Sequence, residues 1–325
     1  MVSIVGGGPA GASAAIFLSE NFNDINLYEK SPERRKPCGG GLTWRVLEQY
    51  GKRLALNEVP MHGSKEAYID FEGQVLRFDF KENVVYVADR LVLDNHLRSL
   101  AESKGVKLIR ERASPEKIED DIVIDSRGFE SSKRQYSLKV ALCRLKNPKL
   151  IFLWRRKFIS EGYFWCFPTD EHHADIGVGG IVGKINTPIT EAFDWFAKRL
   201  GAIPEINMGW GISHSSNFKN LVATEKDKKI VKIGERAKIV NPLTGEGIYY
   251  AIRSADILSQ SLIGDNLDSY EKDIKKEWRK EFLVSDLALR ATSILPKGLV
   301  VLLMKMAVLR KFKNVKVSNV KELLV

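Results

Sequence analysis

Residues 4–11 read IVGGGPAG and run directly into ASAAIFLSE, residues 12–20. The apolar residues before the glycines end a buried strand, the glycines make a turn, and the small-residue run is a helix. Gly6, Gly8 and Gly11 have the spacing of a dinucleotide-binding turn. Gly6 permits the bend, Gly8 lets backbone approach a pyrophosphate, and Gly11 lets helix and strand pack closely. Pro9 and Ala10 complete the face offered to the ligand. A second strand-like run, INLYE at 25–29, ends on Glu29, 18 positions after Gly11. There its carboxylate can accept hydrogen bonds from a ribose diol, with Lys30 beside it. The chain therefore opens with a nucleotide-binding α/β unit.

With 325 residues and 44% hydrophobic content, the chain buries a sizeable core and divides into two domains. A strand starting at residue 2 leaves no room for a leader, and Cys38, Cys143 and Cys166 form neither a disulfide framework nor a metal-ligand spacing. The expectation is a cytoplasmic protein without a metal. The net charge of +10 favours an anionic partner. Much of it lies in Lys297, Lys305, Arg310, Lys311, Lys313, Lys316 and Lys321, a run without acidic residues interleaved with leucines. That pattern suits a terminal helix with a solvated basic face, or peripheral contact with an anionic membrane at its inner face. No basic run is interleaved with exposed aromatics, which argues against nucleic acid.

The order of elements is interleaved. Residues 62–80 alternate around Glu72-Gly73 as a hairpin, residues 90–104 have helical spacing ended by Gly105, and VKLI and DIVIDSRG are strands. Residues 136–182 are strand-rich, TEAFDWFAKRL is a helix, and a less regular stretch runs to about 220. KIVKIGERAKIV contains a further buried strand, followed by a loop and the helix GIYYAIRSADILSQSL. The fold expected is α/β (α+β): a nucleotide-binding domain from residues 1–60, 84–134 and 222–290, with an inserted, mostly antiparallel β domain from 61–83 and 135–221. Residues 291–325 form a C-terminal helical segment. A cleft between the two domains is where ligands bind.

Several of these segments together resemble the geranylgeranyl reductase family of flavoproteins, within the group sharing the p-hydroxybenzoate hydroxylase fold. Pro37-Cys38-Gly39-Gly40-Gly41-Leu42 looks like the end of the family's PxxCGGG signature. Tyr163, Trp165, Phe167 and Pro168, followed by Gly177 and Gly179, match its aromatic-proline pattern. Asn241-Pro242-Leu243-Thr244-Gly245-Glu246-Gly247-Ile248 looks like its flavin-contacting loop. Arg90, and Asp125 to Gly128, sit where related flavoproteins have an FAD-contacting arginine and a DG-type motif. The resemblance implies a Rossmann-like FAD-binding domain, FAD as cofactor, and hydrogenation of carbon–carbon double bonds in isoprenoid lipids.

Residue chemistry agrees with that implication. Gly245 and Gly247 admit close backbone approach, and a helix starting at Ile248 points its positive end at flavin oxygens. Cys38, on a backbone made compliant by Gly39 and Gly40, is placed by the resemblance at the flavin–substrate boundary, where a thiol could donate a proton or merely shape the pocket. Arg34, Arg35 and Lys36 would lower its pKa if they point the same way. Tyr163, Trp165 and Phe167 share one strand face suited to a polyprenyl chain.

Gly234-Glu235-Arg236-Ala237 departs from the usual Gly-Asp-Ala-Ala, so Glu235 is one methylene longer than the aspartate that serves the ribityl chain. This departure keeps open a prenyl-binding protein with a weakened flavin site. The shared fold keeps open a flavin monooxygenase. No second nucleotide turn is present, so NAD(P)H would have to bind transiently, or a ferredoxin or a chemical reductant would deliver electrons; the sequence does not choose among them.

Overall fold

A computed structural model describes residues 1–129, 136–215, 217–225 and 228–320. The final basic residue of the C-terminal run, Lys321, and the segment 130–135 lie outside the described residues.

The first strand, Val2–Val5, is buried along its whole length, as a central parallel strand must be. It pairs in parallel with Ile25–Tyr28 on one side and Ile122–Asp125 on the other. Lys107–Ile109, Lys228–Lys232 and Val222–Glu225 complete a six-stranded sheet that is parallel except at its last, antiparallel pair. The helix Pro9–Leu18 starts with proline at its first position and is buried on every side. Its alanines and Gly11 let it lie between this sheet and the helix Ile248–Ile263 within the main hydrophobic core.

The second sheet has eight strands in the order Ile203–Ile212, Tyr136–Arg144, His173–Ile181, Gly162–Pro168, Ile151–Trp154, Glu66–Phe71, Gln74–Asp79 and Lys316–Val320. Every adjacent pair is antiparallel except Ile151–Trp154 with Glu66–Phe71. The helix Ile189–Leu200 packs Phe193 and Phe196 onto it. A small third sheet joins Gly41–Thr43, Val85–Ala88 and Met61–Ser64.

Three details differ from the sequence reading. The stretch expected to be irregular contains the ten-residue strand Ile203–Ile212. Ile206, Met208, Trp210 and Ile212 alternate with Glu205, Asn207, Gly209 and Gly211, but Pro204 and the two glycines weaken the strand signal of this largely exposed edge strand. Residues 61–64, grouped with the inserted domain, instead bridge to Val85–Ala88 beside the glycine loop. The C-terminal segment is only partly helical. The helix Tyr270–Ile294 runs past residue 290, Lys297–Lys311 follows, and Lys316–Val320 returns as a strand against Gln74–Asp79.

Gly11 and Gly8 provide a matched test of the opening turn. A Cβ on Gly11 would stand 1.9 Å from the Gly6 carbonyl oxygen, whereas one on Gly8 would meet nothing within 4 Å. Gly11→Ala is expected to lower stability by about 3 kcal/mol or more. Gly8→Ala should change it by less than about 1 kcal/mol. Urea-unfolding midpoints of the two variants measure the difference.

Candidate functional site

Two cavities share a wall, with residues from both large sheets in their linings. The larger, about 830 Å³, lies over the opening turn and is lined by Gly6, Gly8, Pro9, Ala10, Glu29, Lys30, Arg90 and Gly128, among others. Helix Pro9–Leu18 starts from Gly8 without a side-chain cap, so its first backbone N–H groups are open to an anion here. Glu29 holds the turn in shape: its carboxylate accepts from the Gly7 N–H at 2.8 Å and the Ser31 N–H at 2.8 Å.

The smaller cavity, about 310 Å³, is mainly apolar. Cys38, Gly39, Tyr163, Trp165, Phe167, Gly245, Gly247 and Ile248 all line it. Tyr163, Trp165 and Phe167 lie side by side, with ring centroids 5.9 and 6.4 Å apart along the row. Gly39 presses on them so closely that a Cβ would come within 2.8 Å of both Phe167 and the Trp165 Nε1. Gly177 makes room in turn for the Trp165 ring, since a Cβ there would overlap it at 2.1 Å. Tyr163 donates its hydroxyl to the Thr244 carbonyl, tying the aromatic strand to the 241–248 loop.

Pro9, Lys36, Arg90, Trp210, Glu235 and Ala251 line both cavities and form the seam between them. Lys36 donates to Glu235 Oε2 at 2.6 Å, while Glu235 Oε1 is buried with no hydrogen-bond partner among the described residues. A buried carboxylate oxygen without a donor is costly and marks a place where a ligand hydroxyl is wanted. The longer side chain at Glu235 thus leaves an acceptor facing the seam, held by Lys36.

Other anticipated residues stand behind these walls. Gly11, Gly40, Asp125, Gly234 and Pro168 line neither cavity. Gly40 takes a positive φ of 66° that brings it against the Ala88 carbonyl, and Gly234, at 58°, packs on Ala10. Asp125 is buried between Arg127 at 2.8 Å and Arg236 at 2.7 Å. Burial alone would push its carboxyl up, but the two guanidinium groups outweigh that and hold it below the usual range. Arg236 is therefore a partner of Asp125 as well as part of the larger cavity's wall.

The basic triplet before Cys38 does not converge on the thiol. Arg34 stacks over the Trp210 ring at 4.7 Å, Arg35 pairs with Asp89 and Asp175, and Lys36 holds Glu235. The cation beside Cys38 is Arg90, buried and anchored by Asp94 at 3.0 Å. Arg90, Asp94 and Arg98 form a buried stripe at four-residue spacing on helix Arg90–Ser103. Arg98 continues the stripe to the Gly7 carbonyl at 2.9 Å. That spacing was visible in the sequence, where charges at 90, 94 and 98 interrupt an otherwise apolar helix face. The Arg35–Asp89–Asp175 cluster carried no such signal, because its members lie 54 and 140 positions apart.

A dinucleotide that is charged at one end and flat and apolar at the other matches this pair of cavities in chemistry. FAD fits: the open backbone N–H groups and Glu29 suit its diphosphate and ribose, and the Glu235 acceptor suits its ribityl hydroxyls. The 241–248 loop and Cys38 would border its ring.

No family model matches the chain. It is 24% identical over 343 residues to digeranylgeranylglycerophospholipid reductase of Thermoplasma volcanium, covering 87% of this chain and 85% of that protein. It is 25% identical over 343 residues to geranylgeranyl diphosphate reductase of Synechocystis, covering 86% and 81%. Among solved structures, a geranylgeranyl bacteriochlorophyll reductase-like protein of Thermoplasma acidophilum superposes with a TM-score of 0.76 at 22% identity, covering 94% and 90%. A flavin-dependent brominase superposes at 0.71 with 14% identity, covering 95% and 92%. The architecture is the mixed α/β fold of these flavoproteins, and the resemblance to geranylgeranyl reductases extends over most of the chain.

Asp175 makes the glycine loop's anchorage sensitive to pH. Burial pushes its carboxyl up to about 6 although Arg35 pulls the other way. The folded chain then keeps this proton at pH values where the unfolded chain has lost it. The carboxyl's stabilising contribution is complete below about pH 4 and declines as pH rises to about 6. The stability of the wild type minus that of Asp175→Asn should fall by on the order of 2 kcal/mol across that window. Chemical denaturation at stepped pH measures it, and a flat difference refutes the assignment.

Proposed function

We propose that the protein is an FAD-dependent oxidoreductase that reduces carbon–carbon double bonds of geranylgeranyl chains in membrane lipid biosynthesis. The observation that carries this reading is the junction of a charged, glycine-fronted cavity with an apolar, aromatic-walled one across Lys36, Arg90 and Glu235. Once reduced by its electron donor, bound FAD would supply hydride to the alkene. The chain's own residues position the reactants, exclude water and manage charge. Tyr163, Trp165 and Phe167 offer a dry wall to an isoprenoid chain, and their π faces favour cationic character at an alkene carbon. Cys38 stands between that wall and Arg90, where its thiol can deliver a proton. Arg90 is kept charged by Asp94 and stabilises the sulfur after the proton leaves. The electron donor in this reading is transient NAD(P)H or a ferredoxin.

Peripheral membrane contact through the C-terminal helices belongs to the same proposal. No helix among the described residues is long and apolar enough to cross a membrane. Helices Tyr270–Ile294 and Lys297–Lys311 nevertheless expose Leu287, Ile294, Leu302 and Leu303, interspersed with basic residues. Such a surface suits an anionic bilayer.

FAD-loaded, dithionite-reduced protein incubated anaerobically with geranylgeranyl lipids is expected to add pairs of hydrogen atoms, read by mass spectrometry. Aromatic hydroxylation with oxygen and NADPH as the sole activity would overturn the reading in favour of a monooxygenase. A colourless protein that cannot be reconstituted with FAD would leave only a prenyl-binding role. Cys38→Ala should remain yellow while turnover falls about 10²-fold or more, the scale of a lost proton donor. Leu302→Asp combined with Leu303→Asp should abolish co-sedimentation with anionic phospholipid vesicles and leave FAD binding intact.

A further inference from the structure

The apolar cavity is lined by three cations, Lys36, Arg90 and Lys311. Two are neutralised within the fold: Lys36 by Glu235 at 2.6 Å and Arg90 by Asp94 at 3.0 Å. Lys311 has no carboxylate within ion-pair distance among the described residues, and its ammonium lies 5.9 Å from the Phe312 ring. It is exposed and lines the cavity at the same time, which places it at the mouth, at the end of helix Lys297–Lys311.

The acid at that end of the cavity is already engaged. Glu246 accepts from Thr43 at 2.7 Å with one oxygen and from Arg45 at 2.9 Å with the other. Glu281, which also faces Arg45, accepts from the Tyr250 hydroxyl. Lys311 feels Glu246 and Glu281 at longer range but makes an ion pair with neither, and a cation so placed at the opening of a greasy pocket can meet an anion attached to a greasy chain. A lipid tail filling the cavity past Tyr163 and Trp165 would leave its polar head at this rim.

We propose that Lys311 is a specificity-determining residue that recognises a phosphate group on the substrate's head, so that the enzyme selects phosphorylated isoprenoids over uncharged ones. This inference rests on the reading of the small cavity as the isoprenoid site. The phosphate can belong to a soluble prenyl diphosphate or to a phospholipid headgroup, and both present the same oxygens to the amine.

Titration of intrinsic tryptophan fluorescence, to which Trp165 contributes from the cavity wall, tests it without turnover. The wild type is expected to bind geranylgeranyl diphosphate at least tenfold more tightly than geranylgeraniol. Lys311→Ala should cut that ratio about tenfold, Lys311→Arg should restore most of it, and Lys305→Ala, on the same helix but outside the cavity lining, should leave it at the wild-type value. A ratio unchanged in Lys311→Ala, or changed equally in Lys305→Ala, overturns the proposal. Repeating the titration with a geranylgeranylated phospholipid in neutral vesicles separates the two sources: a Lys311-dependent preference there alone assigns the lipid headgroup, and one with the diphosphate alone assigns the soluble substrate. A Lys311-dependent ratio in a protein that reduces no alkene would retain this site and sink the reductase. Alkene reduction with an unaffected ratio would do the reverse.

Discussion

The Gly6 carbonyl oxygen lies 1.9 Å from the point where a Cβ on Gly11 would sit, and the Ser126 hydroxyl lies 2.4 Å from the same point. No side chain fits between those groups, so the first helix rests directly on the backbone of the central strands. That contact sets the helix N-terminus at the carboxyl edge of the parallel sheet, where its unpaired N–H groups face the larger cavity. It also brings Ser126 close enough to hydrogen-bond the carbonyls of Val5 and Gly6 at 2.9 and 2.8 Å. The Glu29 carboxylate, the Arg98 guanidinium and the 126–128 turn all take their positions from this close approach. A methyl group at Gly11 would displace them together.

Charge is distributed with equal economy around the site. Arg35 ties the glycine loop to Asp89, which also caps helix Arg90–Ser103, and to Asp175 on the strand beneath. One guanidinium thereby fixes a loop, a helix start and a sheet relative to each other. Arg45 and Thr43 do the same for the 241–248 loop through Glu246. Desolvated pairs of this kind add little net stability compared with apolar packing, but removing one partner is expensive. Their effect here is to specify geometry. Against that background of paired ions, Glu235 Oε1 accepts no hydrogen bond and Lys311 makes no ion pair among the described residues.

The glycine-rich and aromatic segments become one site because each is stiff for a different reason. The 38–41 loop is compliant in sequence yet is clamped by Arg35 and by its antiparallel pairing with Val85–Ala88. The aromatic strand is held by neighbours on both sides in the eight-stranded sheet, and Gly177 leaves a slot for the Trp165 ring. Gly39 packs closely onto Trp165 and Phe167, and Lys311 at the end of helix Lys297–Lys311 contributes to the lining of the same apolar cavity.

Local patterns made much of this protein legible. The glycine spacing, the proline after Gly8, the terminal acid of the second strand and the period-two aromatics each constrain only a few neighbouring residues. Their physical meaning survives without knowledge of the rest of the fold, and the opening turn, the parallel sheet, the aromatic strand and helix Ile248–Ile263 were all readable from local patterns. Contacts between distant segments were not. The three basic residues before Cys38 looked equivalent in sequence, yet each found a different partner 50 to 200 positions away, and the cation beside the thiol came from another helix. The edge strand Ile203–Ile212 was masked by Pro204 and its glycines although Ile206, Met208, Trp210 and Ile212 alternate, and the short strand Lys316–Val320 is held by hydrogen bonds to Gln74–Asp79, a partner distant in sequence. That Glu235 is paired with Lys36 through one oxygen and keeps the other without a donor, and that Lys311 makes no ion pair among the described residues, was decided only by folding, since ion pairing depends on three-dimensional proximity that no short stretch of sequence encodes.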